Sequence, residues 1–171
     1  MIRMLIMLFL ILSIFMSFID MHAKTEITPL GTISFEFIGS IENLELAMIA
    51  WGDIGRTSIA LNLGIDFLYL IIYSAILALA FYRLSNAPNV NNIRRYYLSG
   101  VWLAVVVGII DILENLCLIQ LLYQTKNEIW AIAAYNLAIL KFTGIAVCLI
   151  MLVVGYLYVK CSKTHITKES N

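Results

Sequence analysis

Four apolar stretches dictate most of what this chain can become, because a helix needs ~20 such residues to cross ~30 Å of hydrocarbon. They lie at about 4–20, 59–82, 97–122 and 129–159. Composition agrees: 62% of residues are hydrophobic and 13% charged, against roughly 45–50% and 25% in soluble proteins. A soluble chain of this size could not hide so much apolar surface. The expectation is an all-α membrane protein, one domain over residues 1–171, built as a four-transmembrane-helix bundle with the bilayer as its main partner. The first stretch, Arg3 followed by Met4–Ile19, also has the outline of a signal peptide. Ser17–Ala23 offers no small-x-small cleavage pair, so a retained helix is expected.

Lysine and arginine placement sets an expected orientation. With the N-terminus in the cytoplasm, Arg3, Arg83, Arg94, Arg95, Lys160, Lys163 and Lys168 fall inside. Lys24, Arg56 and Lys126 fall outside. Both termini are therefore expected to be cytoplasmic. Tyr96, Tyr97, Trp102, Tyr156 and Tyr158 near the inner boundary, with Tyr123 and Trp130 near the outer, suit interfacial belts.

Residues 20–58 form the one sizeable extracytoplasmic segment in this reading, and 160–171 a cytoplasmic tail with a frayed, polar end from Ser162. In the outer segment, Pro29-Leu30-Gly31 signals a turn, and the alternation of Thr32-Ile33-Ser34-Phe35-Glu36-Phe37 predicts a short strand. Ser40 is an expected N-cap, with Glu42 in the first turn. The spacing of Ile41, Leu44, Met48 and Trp51 predicts an amphipathic helix on the membrane that stops at Gly52. The segment reads either as a solvated cap on the bundle or as a lid over an opening between helices.

Within the spans stand Asp66, Asp111, Glu114 and Lys141. A charge near the bilayer centre costs at least ~2.5 kcal/mol on insertion scales, so each needs a partner, a proton or a cavity. The last two spans are joined by a short link and must form an antiparallel hairpin. A turn centred near 125–126 sets Lys141 level with residue 110, beside Asp111. Placing this pair at the interface would leave the third span only Tyr97–Ile110, about 21 Å of helix, too short for an ordinary bilayer. Asp111, Glu114 and Asn115 share one face by i, i+3, i+4 spacing, as do Asn62 and Asp66, with Tyr69 and Tyr73 continuing that stripe. The candidate site is thus Asn62, Asp66, Asp111, Glu114, Asn115, Asn136 and Lys141, meeting in the outer half of the membrane. One lysine against three carboxylates requires protons, a cation or water on some of the acids.

Phe35-Glu36-Phe37-x-Gly39-Ser40-x-Glu42, then Trp51-Gly52, then Leu63-Gly64-Ile65-Asp66-Phe67-Leu68-Tyr69-x-x-x-Tyr73, then Asp111-x-x-Glu114-Asn115 resembles a pattern in small uncharacterised bacterial four-helix integral membrane proteins. The resemblance covers most of the chain from about residue 30. It implies a four-span fold in a bacterial inner membrane, ties the outer segment to the buried acids, and brings no activity with it.

Several chemistries lack their residues here. Cys117, Cys148 and Cys161 form no CxxC pair, and His22 and His165 stand alone. HExxH, GxSxG and a Walker loop are absent. No cofactor or metal site is therefore expected, and with 11 basic residues balancing 11 acidic ones no nucleic-acid partner either. The leading expectation is a non-enzymatic protein whose polar cluster stabilises the bundle while the outer segment meets a protein partner or second copy. A proton-coupled transporter or binder of a small molecule within the bundle is the alternative. An acid/base enzyme acting on a lipidic substrate is third.

Overall fold

The computed structural model describes residues 2–87, 94–123 and 127–169. Lys126 and the turn near 125–126 lie outside the described residues, as do the side chains of Cys161, Lys163, His165 and Lys168. The chain forms α1 (Ile2–Asp20), a 3-10 turn (Met21–Ala23), α2 (Thr32–Glu36), α3 (Ile41–Ser85), α4 (Arg94–Leu122) and α5 (Glu128–Glu169), with no strand among the described residues. Four segments, Ile2–Ala23, Ile41–Ser85, Arg94–Leu122 and Glu128–Lys160, are long and apolar enough to cross a membrane. This is the architecture of a helical integral membrane protein.

α3 is the central helix, packed against α1 on one side and α4 on the other, while α5 packs mainly on α4. Without a hydrophobic drive between lipid-bathed helices, contact depends on small residues and polar bonds. A Cβ added at Gly108 would stand 2.6 Å from Ser74 Oγ, and one at Gly144 2.5 Å from Val107. Hydrogen atoms at these positions let α4 approach α3, and α5 approach α4. The side chains of Ile14, Trp102, Ile109 and Ile150 are exposed on the outward faces, as lipid contact requires.

Two sequence expectations need correction, and a third holds. Thr32–Phe37 is not a strand, because α2 occupies Thr32–Glu36. Gly31 turns the chain at φ 58°, and Asp20 Oδ1 accepts from the Thr32 amide at 2.7 Å and its hydroxyl at 2.6 Å. A strand would send the adjacent Phe35 and Glu36 to opposite faces, yet both are buried. The helix capped by Ser40, whose Oγ accepts from Asn43 N, does stop at Gly52 as expected (φ 57°, ψ −159°), and a second helix continues directly beyond this kink, so α3 is two helical pieces joined at Gly52. Arg56 Nε donates to the Met48 carbonyl at 3.2 Å, bridging the break. Finally, α5 is helical to Glu169 rather than ending near 159 in a frayed tail; no Gly or Pro lies between 160 and 169 to stop it.

The loop between α1 and α3 is fastened by Trp51. Its indole Nε1 donates to the Ala23 carbonyl at 2.9 Å and Thr28 Oγ1 at 2.8 Å, and Phe35 meets its ring edge-on at 5.3 Å. This anchors α2 across one end of the bundle.

Candidate functional site

Lys141 Nζ is the centre of the site. It lies 3.0 Å from Glu36 Oε2, 3.3 Å from Asp111 Oδ1 and 2.8 Å from Glu114 Oε2. An ammonium has three donors, and here three carboxylates surround it, one from α2 and two from successive turns of α4. Asp111 is held from the other side by Tyr73, whose hydroxyl donates to Oδ2 at 2.7 Å. All of these groups are buried, Glu114 completely.

A second polar layer adjoins the first. Asn115 Nδ2 donates to Asp66 Oδ2 at 2.5 Å. One turn along α3, Asn62 Nδ2 donates to Asp20 Oδ1 at 3.2 Å and Thr32 Oγ1 at 3.0 Å. Asn62, Asp66, Tyr69 and Tyr73 therefore form a continuous polar stripe on α3, as i, i+3 and i+4 spacing dictates. Tyr69 joins this stripe to α1, stacking on Phe9 at 4.8 Å and accepting from Ser13 Oγ at 3.3 Å.

Of the residues singled out in the sequence, Asn62, Asp66, Asp111, Glu114, Asn115 and Lys141 thus belong to two touching layers. Asn136 does not. It is exposed on α5, with Nδ2 donating to the Ile132 carbonyl at 2.7 Å. It lies five positions before Lys141, which at ~100° per residue puts the two about 140° apart around the helix. Glu36 and Asp20 join the site without having been expected there. Both sit among the polar residues of the connecting segment, where nothing in local pattern separates a buried acid from a solvated one. The one available signal is Glu36 between two phenylalanines, an acid where the chain otherwise dives into apolar surroundings.

Glu36 lies outside the spans, and its carboxyl is raised from 4.5 to about 7. Burial is the main cause, with Asp66 and Asp111 adding repulsion against the opposing pull of Lys141.

The two layers border a cavity of about 640 Å³. Its polar end is lined by Asp20, Glu36, Asp66, Asp111, Asn115 and Lys141. Its long apolar part runs between α1 (Ile6, Phe9, Leu10) and α5 (Ile145, Leu149), with Leu77 of α3 also lining it. From Ile6 to Asp20 this spans about 21 Å of helix. α2 contributes Thr32, Ile33 and Glu36 to the wall at the polar end. Among the described residues no group of three His, Cys, Asp or Glu side chains is placed to hold a metal ion. Where Glu36, Asp111 and Glu114 converge, Lys141 already stands.

Comparison with known proteins found no matching family model, no similar curated protein and no similar solved structure. The geometry of the two polar layers and the cavity is what bears on function.

Proposed function

We propose that this protein is an integral membrane protein that binds a small amphiphilic molecule between its helices without acting on it chemically. One observation carries the reading: a single cavity of about 640 Å³ joins a long apolar groove to a compact polar end. Ligand sites of about 300–1,000 Å³ with apolar walls and a few convergent polar groups are the rule. In the orientation favoured by the lysine and arginine bias, both termini are cytoplasmic and the polar end lies in the outer half of the bilayer. The 20–58 segment is then extracytoplasmic, its helix from Ile41 to Trp51 is the amphipathic one, and α2 is a lid. The resemblance to four-span bacterial proteins supports an inner-membrane location.

The test is to fill the groove. Leu77→Trp and Ile145→Trp, away from the polar layers, should abolish retention of an amphiphile detected by native mass spectrometry of protein taken from phosphatidylcholine nanodiscs. Identical retention by the wild type and both filled variants would sink the proposal.

A second reading is that the cluster fixes helix register. It is favoured by Lys141, whose three donors face three carboxylates, with buried interhelical hydrogen bonds worth about 0.6 kcal/mol each. If Asp111→Asn and Glu114→Gln keep or raise thermal stability, that reading fails.

A further inference from the structure

The cavity's polar end is unbalanced in a direction that identifies the ligand's head. Asp20, Glu36, Asp66 and Asp111 line it, with Lys141 as the one cationic side chain among its lining residues. Lys141 is already shared by Glu36, Asp111 and Glu114. Asp66 has no cation within ion-pair distance among the described residues; its partner is the neutral Asn115 amide.

The asparagines supply an independent sign. Asn62 and Asn115 are 2% and 1% exposed, and both line the cavity. Their Nδ2 groups face carboxylate oxygens, which settles each amide's orientation, since the opposite one would set oxygen against oxygen. Each Oδ1 is then a buried acceptor without a partner. Buried polar groups of this kind are normally satisfied. A group that satisfies them must donate hydrogen bonds, and beside Asp66 a positive donor gains most. Tyr69 and Tyr73, which continue the stripe of Asn62 and Asp66 on α3 and also line the cavity, present aromatic rings that favour a cation further.

Building on the amphiphile-binding reading, we propose that the ligand carries a protonated primary amine. Its ammonium sits at Asp66 with N–H groups directed to Asn115 Oδ1 and Asn62 Oδ1, and its tail lies in the groove between α1 and α5. A quaternary ammonium has the charge but no donor, and an alcohol has a donor but no charge. An ethanolamine-headed lipid and a free alkylamine both supply such an ammonium; the chemistry recognised is the same.

Binding of decylammonium, decyltrimethylammonium, decanol and decyl sulfate to the full chain in phosphatidylcholine nanodiscs, measured by calorimetry against empty nanodiscs, tests this. Decylammonium should bind saturably at one site, at least tenfold tighter than each of the others. Asp66→Asn should lose that preference and Asp66→Glu keep it. The wild-type affinity ratios decide the matter even if Asp66→Asn fails to fold. Adding phosphatidylethanolamine to the nanodiscs should weaken decylammonium binding if the lipid head is the source and leave it unchanged if a free amine is; the preference for ammonium stands in both. Equal affinity for all four probes would overturn the ammonium assignment while leaving amphiphile binding in place. If no probe binds saturably, the ammonium assignment is overturned, and retention unaffected by Leu77→Trp would then reject amphiphile binding itself.

Discussion

Removing Lys141 is the most direct challenge to the ion cluster. Its ammonium lies 3.0, 3.3 and 2.8 Å from Glu36, Asp111 and Glu114. At an effective dielectric near 20, one such pair at ~3 Å is worth about 5 kcal/mol before desolvation. The cost of burying four ionisable groups offsets most of that sum, so the net value of the cluster is far smaller than its Coulomb energy. Breaking it is another matter. Lys141→Met leaves three acids facing one another with no counter-charge, and uncompensated buried charge typically costs about 3–5 kcal/mol. Glu36, whose carboxyl is raised to about 7, can take up a proton, which pulls the expectation to the lower end, about 3 kcal/mol. Unfolding in mild detergent at neutral pH, followed by circular dichroism, measures it. Adding Glu114→Gln to Lys141→Met should recover at least about 1 kcal/mol, because coupled sites in one network are non-additive. Asn136→Ala, on the exposed side of the same helix, should stay within about 0.5 kcal/mol of wild type. A Lys141→Met protein as stable as wild type, or a double variant whose effects simply add, would refute the ion-paired cluster.

Further expectations concern α2 and the two pieces of α3. Because Glu36 binds its proton more tightly when folded, its contribution is fully present below pH 4.5 and is lost as pH rises through about 7. By linkage this removes up to about 3 kcal/mol, opposite in sign to an ordinary paired carboxylate. Lys141, Asp66, Asp111 and Glu114 surround the group, so the comparison is wild type against Glu36→Gln, which should flatten the melting temperature between pH 5 and 8. Trp51→Phe removes the indole donor shared by Ala23 O and Thr28 Oγ1 and should cost about 1–3 kcal/mol; limited proteolysis between 23 and 31 should quicken. Gly52→Ala meets open space but a backbone at φ 57°, so its cost should be pure strain, about 1–3 kcal/mol. Gly64→Ala, also open but helical, should be neutral or stabilising by about 0.5–1 kcal/mol, and equal effects at the two glycines would contradict the kink.

The helical class, the four apolar spans and most of the polar layers were legible in the order of residues alone. Helical periodicity and hairpin geometry are local or nearly local, so Asn62, Asp66, Tyr69 and Tyr73 had to share a face, and Lys141 had to meet α4 near Asp111. Asn136 shows the limit of that logic: level along the hairpin is set by residue number, but facing direction is set by helix rotation. Residues 20–40 depended on the packing of the whole chain. Asp20 and Glu36 become part of the site because α2 folds back over the bundle, with Asp20 caught by Thr32 and Asn62 and Glu36 by Lys141. Those contacts join residues 12, 42 and 105 positions apart, and no periodicity reaches across such separations. The cavity has the same origin. It exists because α1 packs mainly on α3 and leaves its side toward α5 unfilled, and the space between two helices belongs to neither helix's sequence.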